Sequence, residues 1–199
     1  MQSDSPDLVA LLGSRICHDL ISPLGAIGNG VELLMMSGAA AGPEIALISE
    51  SVTNANARIR FFRIAFGAAG DEQRVARTEI RSILEDMTRG GRLIVDWQAA
   101  GDPPRPEVKA ALLALQCIET ALPYGGRVKV DAENGSWRLV AKAERLNIDE
   151  TLWSGLEGLS VGTDIAPAHV QFALLPLELA RLGRTISVET APGRIAIGF

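Results

Sequence analysis

The stretch SRICHDLISPLGAIGNGVELL, residues 14–34, decides how the N-terminal third of the chain folds. It sets His18 beside Asp19 in a segment whose apolar residues recur at three and four. On a wheel at about 100° per residue, Val9, Leu12, Ile16, Leu20, Ile27, Val31 and Leu34 fall within about 60° of Val9. His18 falls about 180° away, in the company of Ser14, Ser22, Gly25, Asn29 and Glu32. The periodicity predicts one helix over residues 8–37, greasy on one side and displaying an accessible imidazole on the other. Pro23 cannot donate to the Asp19 carbonyl and crowds it, so the sequence predicts a bend after the histidine's turn, or else the end of a first helix there.

Working outward, GAAAG at residues 38–42 is a small-residue break. Pro43 suits a first helical position, where its missing N–H is no loss. A second helix is predicted from Pro43 to about Phe66, with Ile45, Ile48, Val52, Ala55, Ile59, Phe62 and Phe66 as its stripe. Two long helices joined by a short turn lie antiparallel. A lone hairpin cannot cover both stripes, so the simplest completion is a four-helix bundle made with a second copy. Antiparallel pairing at equal rise brings Phe62 level with His18. The hairpin's basic residues, Arg15, Arg58, Arg60 and Arg63, then fall near the histidine's height. Arginines there suit a phosphoryl group or an acidic protein partner; a solvated basic face favoured by a helix C-terminus reads equally well.

A displayed imidazole is nucleophilic through one ring nitrogen while the other carries the proton. A carboxylate that accepts that proton's hydrogen bond fixes the tautomer and stabilises the cation that forms. Asp19 is the nearest carboxylate, although as the adjacent residue it points about 100° away on the wheel.

Beyond residue 70 the pattern changes. TEIRSILEDMTR reads as a helix, RLIVDWQA as a strand, and PEVKAALLALQCIETAL as a strong helix. PYGGRVKVDAENGSWRLVAKAE reads as a hairpin turning at Asn134-Gly135. A less regular region precedes a helix over PAHVQFALLPLELARLG, and TISVETAPGRIAIGF closes the chain as two strands turning at Pro192-Gly193. Helices on one face of a mostly antiparallel sheet make an α+β layer. The predicted organisation is a helical hairpin over residues 1–70 and an α/β sandwich over residues 71–199.

The bulk composition narrows the function classes. Of 199 residues 47% are apolar, enough for a buried core. Net charge is −5, which disfavours nucleic acid as the main partner. Two cysteines, Cys17 and Cys117, build no disulfide framework, and a reducing cytoplasm fits them best. The start, MQSDSPDLVALLGSR, lacks a basic region and reads as no signal peptide. No stretch is long and apolar enough to suggest a membrane span. Two histidines and two cysteines without ligand spacing do not suggest a metal site. His169 reads as a surface or capping residue. Cys117, Trp97, Trp137 and Trp153 read as packing residues, and Leu33, Leu34, Met35 and Met36 as bundle core.

His18-Asp19-Leu20-Ile21-Ser22-Pro23-Leu24 resembles the H-box of sensor histidine kinases, the phosphoacceptor helix of their dimerisation domain. The longer run CHDLISPLGAIGNGVELL resembles ChpT-type bacterial histidine phosphotransferases more closely. Residues 79–124 follow the order of a kinase ATP-binding domain, and GRTISVETAPGRIAIGF is similar to that domain's closing strands. The departures are informative. The asparagines that hold nucleotide and magnesium in kinases align with Gln116 and Thr120. The adenine-reading aspartate-glycine motif is replaced by RLNIDE. The glycine-rich stretch before the last long helix is replaced by HVQFALLP, where Phe172, Leu174, Leu175 and Pro176 cannot offer backbone N–H groups to phosphate. Gly125-Gly126 reads as a turn into the next strand.

The resemblance implies a phosphotransferase in a two-component phosphorelay, with a kinase-like fold that has lost its nucleotide site. His18 would take a phosphoryl group from the aspartate of one receiver domain and pass it to another. Catalysis is expected to rest on His18, Asp19 and Ser22. Ser22 would orient water, as a polar residue there does in kinases, or would bond back to a helical carbonyl near Pro23. Receiver docking is expected on Arg15, Pro23, Asn29, Arg58, Arg60 and Arg63. The implied partners are a second copy of the chain, the receiver of a hybrid histidine kinase and response-regulator receivers, with neither nucleic acid nor membrane. No cofactor and no ATP are expected on this chain, magnesium being supplied by the receiver. The alternatives are a non-catalytic module that inhibits or scaffolds a kinase, and an ATP-dependent histidine kinase with a divergent nucleotide site.

Overall fold

The computed structural model describes residues 8–37, 42–70, 72–158 and 165–199. The side chain of Val9 and residues 38–41 of the expected break lie outside the described set. The chain divides into two compact units, Met1–Ala68 with Ser82–Arg89, and Ala69–Arg81 with Gly90–Phe199.

The first unit is built on helices α1 (Leu8–Met36) and α2 (Pro43–Ala65). Helix α1 runs on through Pro23, so the proline does not end it. Helix α2 starts with Pro43 as a first-turn residue, Glu44 in its first turn and Arg63 in its last, charges that oppose the helix dipole at each end. The two helices pair antiparallel. Gly13 lies against the Phe66 carbonyl, Gly28 against the Val52 side chain, and the Ala68 N–H donates to Ser14 Oγ at 3.1 Å. This register puts Phe62 level with His18.

The face of α1 that packs on α2 is not the most apolar one. Its buried residues are Ala10, Cys17 and Val31, spaced by sevens with half-buried Leu24 between the last two. Those positions sit about 40° to 100° around the wheel from Val9, so the seam borders the predicted stripe and shares Val31 with it. The stripe itself is left in solvent: Leu12 is 61% exposed and Ile16 51%, and Leu20, Ile27 and Leu34 are exposed as well. Leu33, Met35, Met36 and, on α2, Leu47 and Ile48 are also exposed. Small residues explain the choice of seam, because Gly13 and Gly28 allow the close approach that leucine would block. Within this chain, among the described side chains of the stripe, Val31 alone is covered, in keeping with a hairpin that cannot cover its stripes by itself.

The second unit has a five-stranded sheet in the order β1-β2-β3-β5-β4, formed by β1 (Leu93–Trp97), β2 (Gly126–Glu133), β3 (Ser136–Lys142), β4 (Ser187–Ala191) and β5 (Arg194–Gly198). The β1–β2 pair is parallel and the other three pairs are antiparallel. Asn134 and Gly135, with φ of 49° and 81°, make the β2–β3 turn where left-handed backbone is required. The remaining helices are α3 (Arg77–Thr88, shared between the units), α4 (Arg105–Thr120), α5 (Glu150–Glu157) and α6 (Val170–Arg181). Helix α5 occupies the region expected to be less regular. Its start is capped by Asp149, whose Oδ1 accepts from the Thr151 and Leu152 N–H groups at 3.0 and 3.2 Å.

Alternation fixes the sheet's inner face. Val128, Val130, Trp137, Leu139, Ala141, Ile195 and Ile197 are buried, while Arg127, Lys129, Arg138 and Lys142 point outward. Helix α4 is buried along most of its length, which explains why its sequence is apolar all round. Trp137 packs between Trp97 and Phe199, and Trp153 meets Phe172 edge-on. The expected α+β architecture is the one observed.

Candidate functional site

His18 lies on the side of α1 turned away from the exposed stripe, and its side chain is 82% exposed. The adjacent Asp19 does reach it: His18 Nδ1 and Asp19 Oδ1 are 3.1 Å apart. The second carboxylate oxygen, Oδ2, accepts from Arg15 Nε at 2.8 Å, one helical turn back. These contacts hold the Asp19 carboxyl below the ordinary aspartate range, the hydrogen bond from His18 being the largest cause and Arg15 adding to it. With Nδ1 turned to a carboxylate, Nε2 faces solvent. Paired carboxylate and imidazole on a rigid helix therefore present one nucleophilic nitrogen outward.

Ser22 is exposed one turn further along, and among the described residues no hydrogen bond ties it back to a helical carbonyl. Pro23 and Asn29 are exposed on the same helix. Cys17, next to the histidine, faces α2 and is buried. Burial raises its thiol pKa, partly offset by the positive charge of Arg63.

The four arginines do not form one group. Arg15 is engaged with Asp19. Arg63 lies near enough to Cys17 for its charge to act there. Arg60 lines a groove between α1 and α2 with Leu24, Gly28, Asn29 and Glu32. Arg58 donates through Nε to Asn54 Oδ1 at 3.1 Å and lines a different groove, with Met35, Leu47, Asp86 and Arg89. The Arg15–Asp19 pair is the feature that sequence reading passed over. Its signal was present as opposite charges four residues apart on a helix.

In the second unit, Thr120 Oγ1 donates to the Cys117 carbonyl at 2.7 Å, and Gln116 is half-buried. Phe172 and Leu175 are fully buried at the start of α6, and Pro176, also buried, has no N–H to offer. A Cβ on Gly125, at φ 87°, would run into Arg92, so Gly125-Gly126 is the tight turn that feeds β2. His169 stands at the N-cap of α6 with its ring 6.3 Å from that of Phe172. Among the described residues, no helix is long and apolar enough to cross a membrane.

A family model described as the histidine phosphotransferase C-terminal domain matches residues 77–194. The protein phosphotransferase ChpT of Brucella abortus (strain 2308) is 44% identical over 137 residues, a match covering 64% of this chain and 61% of that protein. The match thus spans under two thirds of that relative's length. A solved structure of a bacterial phosphotransferase superposes with a TM-score of 0.66 at 29% identity, over 93% of this chain and 91% of that one.

Proposed function

Because this chain belongs to the ChpT-type histidine phosphotransferase family, we propose that His18 carries a phosphoryl group between receiver-domain aspartates in a phosphorelay. The observation that carries the reading is the exposed imidazole with its Nδ1 on Asp19 and its Nε2 free. The Nε2 lone pair attacks the phosphorus of an aspartyl phosphate in line. A P–N bond forms, the P–O bond to the receiver's aspartate breaks, and the carboxylate leaves with the electron pair. Nδ1–H stays donated to Asp19, which stabilises the positive charge that builds on the ring. The second transfer runs the same step backwards onto another aspartate. The receiver brings the magnesium ion and its acidic pocket. This chain brings the nucleophile, its orienting carboxylate and a docking surface around Pro23, Asn29 and Arg60, and the exposed Ser22 would hold a water.

The second unit supports relay over autophosphorylation from ATP. Thr120 spends its hydroxyl on its own helix, and buried Phe172, Leu175 and Pro176 stand where a phosphate cradle needs approachable N–H groups. Both features support the reading that this chain holds no magnesium nucleotide. The exposed stripe of α1 supports a homodimer whose four-helix bundle would cover Leu12, Ile16, Leu20, Ile27 and Leu34.

The test is transfer from a receiver domain carrying a radiolabelled aspartyl phosphate. Label should appear on the wild-type chain as an acid-labile, base-stable phosphohistidine, and should be lost to a second receiver when one is added. His18→Ala should accept none, and labelled ATP without a receiver should leave the chain unlabelled. Label retained by His18→Ala defeats the assignment, and label taken directly from ATP favours the kinase reading.

A further inference from the structure

Asp19 makes two contacts, one through each carboxylate oxygen. One oxygen faces His18, and the other is held by Arg15. On a helix an aspartate points about 100° away from the residue before it, and this one is half in solvent, with a side chain 49% exposed. Nothing in the helix geometry alone keeps its carboxylate turned toward the imidazole. Arg15 is its only other hydrogen-bond partner among the described residues, and it grips the far oxygen, leaving Oδ1 directed at Nδ1. Helix stability is a poor explanation for the pair, because a cation on the N-terminal side of an anion is the weaker i,i+4 order.

We infer that Arg15 is a positioning residue: by pinning Asp19 it selects the His18 tautomer with the proton on Nδ1 and the lone pair on Nε2. The inference rests on the relay reading for its importance, although the tautomer can be read in the free protein. A free imidazole favours the opposite tautomer, with the proton on Nε2, which would aim the proton at an incoming phosphoryl group. Arg15 also balances the Asp19 charge, so an anionic donor approaches a pair that is neutral overall. No hydrogen bond to Asp19 from the hairpin's other charged groups occurs among the described residues. On α2, Arg63 sits by Cys17 and Arg60 by Asn29 and Glu32, and Arg58 is bonded to Asn54. Glu32 lies along α1 in the Arg60 groove.

The experiment combines the ring ¹⁵N spectrum with the transfer rate in the full chain. There are two histidines, so His18→Ala assigns the signals. Near about pH 8, where an ordinary imidazole is neutral, wild-type His18 should show a protonated Nδ1 and a pyridine-like Nε2. Arg15→Met, which keeps the stem and helix propensity but cannot pair, should shift His18 toward the Nε2–H form. It should also slow transfer from a phosphorylated receiver roughly two- to fivefold, the scale of an exposed ion pair. Arg15→Lys should restore most of both, with helicity by circular dichroism unchanged throughout. A wild-type ring protonated on Nε2, or an Arg15→Met ring with the wild-type tautomer, overturns the inference. Slower transfer without a tautomer change would make Arg15 a receiver contact and overturn it equally. Failure of the relay reading is distinct, since it shows as label on His18→Ala.

Discussion

The ion pair between α4 and α6 offers the sharpest stability test. Lys109 Nζ lies 2.7 Å from Glu178 Oε1, with the two side chains only 5% and 9% exposed. Arg181 reaches the same oxygen from the surface at 3.0 Å. Replacing Glu178 with leucine leaves the Lys109 ammonium buried without this carboxylate, which costs about 3–5 kcal/mol. Replacing Lys109 with methionine is milder, about 2 kcal/mol, because Glu178 keeps Arg181 and can share its charge with solvent through it. Replacing both restores an apolar contact of similar volume and should return stability to within about 1 kcal/mol of wild type. Trp97, Trp137 and Trp153 are all buried in this unit, so tryptophan fluorescence during thermal or urea unfolding reports on it directly. At about 2–4 °C per kcal/mol, Glu178→Leu should lower the melting temperature by roughly 10 °C. A double variant as unstable as the two single losses combined would refute the reasoning, since the pair would then be two independent contacts and not one coupled charge problem.

Gly125→Ala should destabilise the second unit by about 2 kcal/mol or more in urea unfolding, because the position needs φ 87° and its Cβ would strike Arg92. Leu20→Glu with Ile27→Glu should convert the proposed dimer to a folded monomer by light scattering with helicity retained, since both side chains are already exposed in the single chain. The lowered Asp19 pKa has a signed consequence. A carboxyl whose folded value is depressed contributes above its unfolded value and loses that contribution as pH falls through the folded one. Followed by carboxyl NMR, Asp19 should thus stay ionised further below about pH 4 in wild type than in Arg15→Met; identical titrations would count against the His18–Asp19–Arg15 arrangement.

What the sequence made legible was local. Helix α1 announced itself through three-and-four periodicity, and Asn134-Gly135 announced a hairpin because few other residues accept left-handed backbone. Other features depended on partners distant in the chain. Hydropathy flagged Leu12, Ile16, Leu20 and Ile27 as a stripe, yet α2 packs on a seam of Ala10, Gly13, Cys17 and Gly28, whose value is smallness. Apolarity marks a face, and by itself does not tell which neighbour packs on it. Helix α5 was missed because eight residues leave little periodicity to count, although Asp149 before Leu152, Trp153 and Leu156 was a cap followed by an apolar face. The parallel β1–β2 pair and the Lys109–Glu178 contact follow from chain topology, which no local pattern encodes. At the site, His18 could be placed on a polar face, but the direction of its neighbour's carboxylate depended on Arg15, a second-order effect of rotamers.

The site's economy follows from its position. His18 projects from the middle of a continuous helix, so the exposed polar groups of α1 nearest a phosphorus bound to it are the adjacent Asp19 and, one turn away, Arg15 and Ser22. Arg15 and Asp19 are committed to each other and to the ring, which leaves little of the charge neutralisation that phosphoryl transfer demands. A donor that carries its own cation and acidic pocket removes that demand, and a flat, exposed imidazole is then an advantage, because a broad partner can close over it. The apolar stripe lies about half a turn of the wheel away from His18. Any self-association through the stripe would leave the imidazole outside, so the proposed pairing with a copy and the proposed docking of a receiver would draw on opposite faces of one helix without competing.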